Sequence, residues 1–88
     1  MMERVFTVQN KLGLHARPAA LFVQTTNRHQ SQVRVEKEGQ QVDGKSIMGI
    51  LTLAAESGSR LKIFVDGPDE GQLLDALQQL FDGRFDEE

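Results

Sequence analysis

The chain has 88 residues, of which 39% are hydrophobic and 26% are charged, with a formal net charge of −3 at pH 7. This length predicts a single small domain over residues 1–88, with a two-layer core and no active site enclosed between domains. The composition is typical of a soluble globular protein, and no segment approaches the ~20 apolar residues that cross a bilayer. The absence of cysteine excludes disulfides and thiolate metal sites and favours a reducing cytoplasm.

Charge is distributed unevenly along the chain. Residues 1–62 carry nine Lys and Arg against five Asp and Glu, whereas residues 63–88 carry one against eight. The acidic part predicts a solvated helix face and tail, and it makes binding to nucleic acid unfavourable. The absence of Trp and Tyr argues in the same direction. The basic part still leaves room for a local anion site.

The first half of the chain predicts a strand, a helix and a hairpin. Polar and apolar side chains alternate in residues 3–10, which indicates a strand. Residues 32–44 alternate in the same way on both sides of the Glu38-Gly39 pair, which favours a β-hairpin. Between them, residues 16–27 have the period of a helix. One face of that helix would carry Ala19, Phe22, Val23 and Thr26.

The second half predicts a short helix, a strand and a longer helix. Residues 45–53 fit one or two helical turns capped by Ser46, and residues 59–67 alternate like a strand. Residues 69–83 form an amphipathic helix, and Asp69 suits its N-terminal turn. The apolar stripe of this helix would comprise Leu73, Leu74, Leu77, Leu80 and Phe81.

The predicted elements define a fold class. Their order is strand, helix, strand, strand, short helix, strand and helix. Strands with one polar face and helices with one apolar stripe indicate an antiparallel sheet that helices cover on one side. We therefore expect an α+β domain.

An unusual residue precedes the first helix. His15 stands at the N-cap, where Ser, Thr, Asp or Asn is preferred. An imidazole is a poorer cap, so the amides of Ala16 and Arg17 stay available for an oxyanion at the positive helix end, beside the Arg17 guanidinium. Imidazole is partly neutral and nucleophilic near neutral pH. The arrangement favours a phosphoryl acceptor, and the alternative is an ordinary surface histidine beside a solvated arginine.

Two motifs carry a family resemblance. The segment GLHARPAA, residues 13–20, is followed about thirty residues later by KSIMGIL, residues 45–51. Together they resemble the HPr family, the histidine-containing phosphocarriers of the bacterial phosphoenolpyruvate-dependent phosphotransferase system, and the resemblance spans essentially the full length. It implies an open-faced β-sandwich, in which a four-stranded antiparallel sheet of order 1-4-2-3 carries three helices on one face.

The resemblance also implies how the first motif works. His15 would be phosphorylated at Nδ1 by phospho-Enzyme I and would pass the group to an enzyme IIA, while Arg17 contacts the phosphoryl group. The protein would be a carrier that these enzymes use as a substrate, not an enzyme itself. We expect no cofactor.

The second motif has a local and a functional interpretation. Ser46 is explained locally as a helix N-cap, and the resemblance implies that it is a regulatory serine phosphorylated by HPr kinase/phosphorylase. The resemblance also favours a partner surface near His15. That surface would comprise Ala20, Gln24, Ile47 and Met48, although Met48 also fits a core position. We expect a cytoplasmic monomer that does not insert into a membrane.

Other interpretations stay open. One is a regulatory HPr-like binding module, in which phosphorylated Ser46 controls docking and sugar transport is not served. Residues 10–27 also resemble the nitrogen-related carriers, so the sugar and regulatory branches are not separated. His29 is predicted to be a surface or helix-end residue. It is a poor metal ligand without clustered partners, and we expect no metal site.

Overall fold

The computed structural model describes residues 1–87 and contains all the predicted elements. No helix in that range is long and apolar enough to span a bilayer. The strands and helices, in chain order, are β1 (Met2–Thr7), α1 (Ala16–Asn27), β2 (Gln32–Lys37), β3 (Gln40–Asp43), α2 (Ile47–Thr52), β4 (Arg60–Asp66) and α3 (Glu70–Asp82).

The four strands form one antiparallel sheet in the order β1-β4-β2-β3. This confirms the open-faced arrangement, with three helices, that the resemblance implied. Strand β4 lies between β1 and β2, and its register pairs Val65 with Val33 and Ile63 with Val35. All four side chains are buried, because alternate residues of a strand point to the same face.

The core lies between this sheet face and the helices. Phe81 of α3 is at its centre, with its ring centroid 4.8 Å from Phe6 and 6.2 Å from Phe22. The predicted helix faces are confirmed, since most of their side chains are buried. Val23 and Leu80 are only partly buried and pack at the edge of the core.

Local turn chemistry fixes the hairpin and the short helix. Glu38 and Gly39 both have positive φ, 52° and 85°, as a two-residue type I′ turn requires. The Ser46 hydroxyl accepts a hydrogen bond from the Gly49 amide at 3.1 Å, which confirms the predicted cap. A side chain at Gly49 would approach the Asp43 carbonyl oxygen at 3.1 Å, so α2 packs closely on the end of β3.

Asp69 stands at the N-cap of α3, but its side chain makes no capping bond to that helix. Its carboxylate instead accepts hydrogen bonds from the Gln30 and Ser31 amides, each at 3.0 Å, and from the Ser31 hydroxyl. These bonds, led by that of the Ser31 hydroxyl, lower the pKa of Asp69 from 3.8 to about 2. The residue thus ties the start of α3 to the loop after α1.

The prediction of a solvated acidic tail holds for Asp82 and Asp86, which are exposed, but not for Phe85, which is buried, or for Glu87, which is half-buried. A single turn follows at Arg84–Asp86, and all three residues have positive φ, between 52° and 61°. Phe85 is 1% exposed, and its ring lies 5.0 Å from that of Phe81. Burial of this large ring offsets the conformational cost of three left-handed non-glycine residues.

Candidate functional site

The first turn of α1 has backbone amides without hydrogen-bond partners among residues 1–87. His15 is the N-cap, with φ −80° and ψ −167°, and its side chain makes no capping hydrogen bond. The first intrahelical bond runs from the Ala19 amide to the His15 carbonyl oxygen at 2.9 Å. The Ala16 and Arg17 amides make no hydrogen bond within residues 1–87, and both residues are exposed. The structure therefore has the free amides that the sequence predicted.

The path of the loop before His15 requires a glycine. Gly13 has φ +73°, and a Cβ atom there would lie 2.3 Å from the carbonyl oxygen of Ala55. That same carbonyl accepts a hydrogen bond from the Leu14 amide at 2.8 Å, and the Leu14 side chain is buried. The chain therefore enters α1 along a path that only glycine permits at this point.

A carboxylate from the C-terminal end reaches the imidazole. The Nε2 atom of His15 lies 3.0 Å from Oε2 and 3.2 Å from Oε1 of Glu87. Asn10 donates through Nδ2 to the same Oε1 at 3.1 Å and to the Gly13 carbonyl oxygen. The His15 and Glu87 side chains are 38% and 22% exposed. The imidazole is therefore open to solvent yet held at one nitrogen.

Sequence reasoning missed Glu87 and Asn10. A glutamate near an acidic end gives no signal, because its contact with His15 spans 72 residues and depends on the left-handed turn before it. Asn10 resembles any loop asparagine. The only available hint was Phe85, an isolated aromatic residue in an otherwise polar tail.

Arg17 is exposed on the first turn of α1. Its guanidinium makes no hydrogen bond or ion pair with the part of the chain that the structure describes. It can therefore turn toward an anion at the helix end without breaking an existing contact. Its planar fork suits two oxygens of one phosphoryl group.

The loop that leads to Ser46 is attached to the other end of α1. Thr26 donates through its hydroxyl to the Gly44 carbonyl oxygen at 2.8 Å, and Asn27 donates to the Lys45 carbonyl oxygen at 3.1 Å. Lys45 in turn donates to the carbonyl oxygen of His29 at 2.8 Å. The His15 motif and the Ser46 motif are therefore both held by α1, the first at its N-terminal end and the second at its C-terminal end.

Part of α2 exposes apolar side chains. Ile47 and Met48 are 39% and 68% exposed, so the alternative of a core position for Met48 is wrong. Gln24 is exposed and Ala20 half-buried on α1, which packs against α2. The exposed apolar side chains also include two that sequence reasoning did not name, Leu12 and Leu51.

His29 lies just after α1. Its Nδ1 is 2.8 Å from the Thr25 carbonyl oxygen, so Nδ1 carries a proton and the ring is held against the helix end. Within residues 1–87, no three or more His, Asp or Glu side chains come together as a metal site would require.

Comparison with known proteins identifies the family. The sequence model for the "PTS HPr component phosphorylation site" matches residues 2–82. The chain belongs to the HPr family, the phosphocarrier proteins of the phosphotransferase system. HPr is a phosphocarrier protein and not a catalyst.

Individual relatives agree over nearly the full length. The phosphocarrier protein HPr of Xylella fastidiosa is 46% identical over 88 residues, which is 100% of this chain and 99% of the relative. The crystal structure of HPr-C-His from Thermoanaerobacter tengcongensis superposes with a TM-score of 0.96, at 46% identity and 100% and 99% coverage. A crystal structure of Bacillus subtilis Crh, described as a swapped dimer, gives 0.75 at 42% identity and 96% and 97% coverage.

Proposed function

We propose that the protein accepts a phosphoryl group from phospho-Enzyme I on Nδ1 of His15 and passes it to an enzyme IIA. The observation that supports this most is the helix end itself. His15 stands as an N-cap whose side chain does not cap, so the imidazole lies beside two unused amides. That combination supports the role of His15 as a nucleophile beside an anion-binding helix terminus.

Phosphoryl transfer to His15 requires a nucleophile and groups that hold the phosphoryl oxygens, and a small domain can supply both. The Nδ1 lone pair attacks phosphorus and forms the new P–N bond, while the bond between phosphorus and the donor breaks and its electron pair leaves with the donor. The Ala16 and Arg17 amides and the Arg17 guanidinium would hold the phosphoryl oxygens during the transfer. The reverse sequence transfers the group to the acceptor.

Incubation with Enzyme I, Mg²⁺ and phosphoenolpyruvate tests this function. We expect one phosphoryl group per chain, lost on brief acid treatment and absent in His15→Ala. The matched control is His29→Ala, since His29 is the other histidine of the chain. Label that survives in His15→Ala, or disappears in His29→Ala, would overturn the assignment.

We also propose that Ser46 is a site of regulatory phosphorylation by HPr kinase/phosphorylase. Its hydroxyl caps α2, and a phosphate at a helix N-terminus is well tolerated. The new charge would lie beside the exposed side chains of Ile47 and Met48. A partner that buries these side chains would have to desolvate that charge, which is costly.

The second candidate is a regulatory binding module that does not serve sugar transport. The likeness to Crh, the Bacillus subtilis catabolite repression containing protein, favours it. The two candidates differ in the assay with Enzyme I. Transfer from phospho-His15 to an enzyme IIA supports the carrier, whereas a protein that is modified only at Ser46 would be the regulatory module.

We propose that the carrier acts as a monomer. His15, Arg17 and Glu87 all belong to one chain, so the site needs no residue from a second copy. The swapped dimer of Crh shows what a relative can form. Light scattering at micromolar concentration should give one chain per particle, and a dimer there would contradict this proposal.

A further inference from the structure

The carboxylate of Glu87 contacts the nitrogen of His15 that is not the proposed acceptor. Its oxygens lie 3.0 and 3.2 Å from Nε2, and Oε1 also accepts from Asn10 Nδ2 at 3.1 Å. We propose that Glu87 is a positioning residue that holds the Nε2 proton throughout phosphoryl transfer. This inference rests on the proposed function, and it concerns a residue beyond the family match, which ends at residue 82.

The contact is built into the fold. Phe85 is buried against Phe81, and the left-handed turn of Arg84–Asp86 reverses the chain after α3. Glu87 then follows in an extended conformation, with φ −107° and ψ 156°. The Asn10 amide also donates to Oε1 of this carboxylate, so both the turn and Asn10 hold the glutamate at His15.

This arrangement decides which nitrogen is nucleophilic. A neutral imidazole carries one N–H, and an acceptor at one nitrogen keeps the proton there. The Glu87 carboxylate accepts from Nε2–H, which leaves the lone pair on Nδ1. The chain Asn10–Glu87–His15 thus selects the acceptor atom through hydrogen bonds to the other side of the ring.

The contact between Glu87 and His15 also stabilises the positive charge that forms on the imidazole during phosphoryl transfer. When Nδ1 forms its bond to phosphorus, the electron pair of the broken donor bond leaves with the donor, and the His15 ring becomes cationic while Nε2 keeps its proton. A carboxylate in contact with that N–H offsets the positive charge through a charge-assisted hydrogen bond. When the group moves on, the P–N pair returns to Nδ1 and the ring is neutral again. No proton has to move in either direction.

The kinetic test compares Glu87→Gln with Asp86→Asn. Both remove one negative charge from the same tail, but Asp86 is exposed and makes no hydrogen bond to His15. Glutamine keeps the size and an acceptor oxygen but loses the charge, which weakens the hydrogen bond to the cationic ring. We expect Glu87→Gln to lower the kcat of phosphorylation by Enzyme I about fivefold, with KM unchanged and Asp86→Asn equal to wild type. Equal kcat in both variants overturns the proposal.

A spectroscopic test separates this inference from the proposed function. In ¹⁵N spectra of unphosphorylated protein with neutral His15, we expect the proton on Nε2. We also expect it to exchange with water more slowly than in Glu87→Ala. A proton on Nδ1, or the same exchange rate in both proteins, overturns the positioning role even if transfer occurs. If wild type is not phosphorylated at all, the proposed function fails, while the spectra still report on the contact.

Discussion

The hydroxyl of Thr26, in the last turn of α1, donates to the carbonyl oxygen of Gly44 at 2.8 Å, and both residues are buried. This bond anchors the loop before Ser46 to the helix that begins after His15. A modification at Ser46 therefore occurs on a surface whose position relative to α1 is fixed. If Ser46 is phosphorylated as proposed, the new charge beside Ile47 and Met48 would hinder docking without a change in the shape of the His15 site.

We expect Ser46→Asp to slow phosphorylation of His15 by Enzyme I at low carrier concentration without unfolding the protein. Aspartate still caps α2 but adds a charge next to Ile47 and Met48. The matched control is Ser46→Asn, which is also a good cap and is uncharged. Equal rates for the two variants would show that charge at this position does not affect docking.

Ser46→Ala should cost about 1 kcal/mol of stability, measured by urea unfolding.

Arg17→Lys keeps the charge of the site but loses the planar fork. We expect phosphoryl transfer to slow roughly five- to tenfold in both directions. The free energy of unfolding should change by less than about 0.5 kcal/mol, because the side chain is exposed. Arg28→Lys, another exposed arginine just after α1, serves as the control. A wild-type rate for Arg17→Lys would show that two-point contact with the phosphoryl group is not needed.

The two parts of the site differ in how far sequence could predict them. The N-cap position of His15, the free amides and Arg17 follow from a local pattern, because a helix start involves only neighbouring residues. The contact between His15 and Glu87 depends on three consecutive left-handed residues. Non-glycine residues seldom adopt that conformation, so no pattern signals it.

The fold shows the same contrast between local patterns, which sequence reveals, and contacts between distant residues, which it does not. Alternation and helical period located each strand and helix, but they do not determine which strands are neighbours. The order β1-β4-β2-β3 came from the family resemblance. Asp69 shows a further limit, because a helix-start aspartate suggests a cap, whereas its carboxylate binds Ser31, 38 residues earlier.

Gly13→Ala should destabilise the protein and displace the loop that carries His15. The new Cβ would meet the Ala55 carbonyl oxygen at 2.3 Å in a backbone with φ +73°, so strain and overlap add to about 2–4 kcal/mol. Gly39→Ala is the control, because φ is +85° there with nothing within 4 Å. It should cost only about 1 kcal/mol, and equal costs in urea unfolding would refute the close approach at Ala55.

Protonation of Asp69 should lower the free energy of unfolding as the pH falls through the acid range. Its pKa is lowered from 3.8 to about 2 in the folded protein, so the folded state favours the charged form. That contribution is present above the unfolded pKa of 3.8 and is lost as the pH falls toward 2. Asp69→Asn should be less stable than wild type at pH 5, and the difference should shrink by pH 2.

The control for Asp69 is Asp75→Asn. The Asp75 side chain is 75% exposed and 3.5 Å from Arg4, so it should contribute little. Urea unfolding between pH 5 and pH 2 compares both variants with wild type. If Asp69→Asn and Asp75→Asn show the same difference from wild type at every pH, the bonds from Ser31 and Gln30 do not stabilise the fold.

The most direct measurement identifies the phosphorylated atom. Protein labelled with ¹⁵N on its histidines, phosphorylated by Enzyme I and phosphoenolpyruvate, should show coupling between phosphorus and Nδ1 of His15. Nε2 should keep its proton, and the resonances of His29 should stay unchanged. Addition of an enzyme IIA that accepts the group should remove the coupling and restore the original spectrum. Phosphorus bonded to Nε2 of His15, or to His29, would contradict the account.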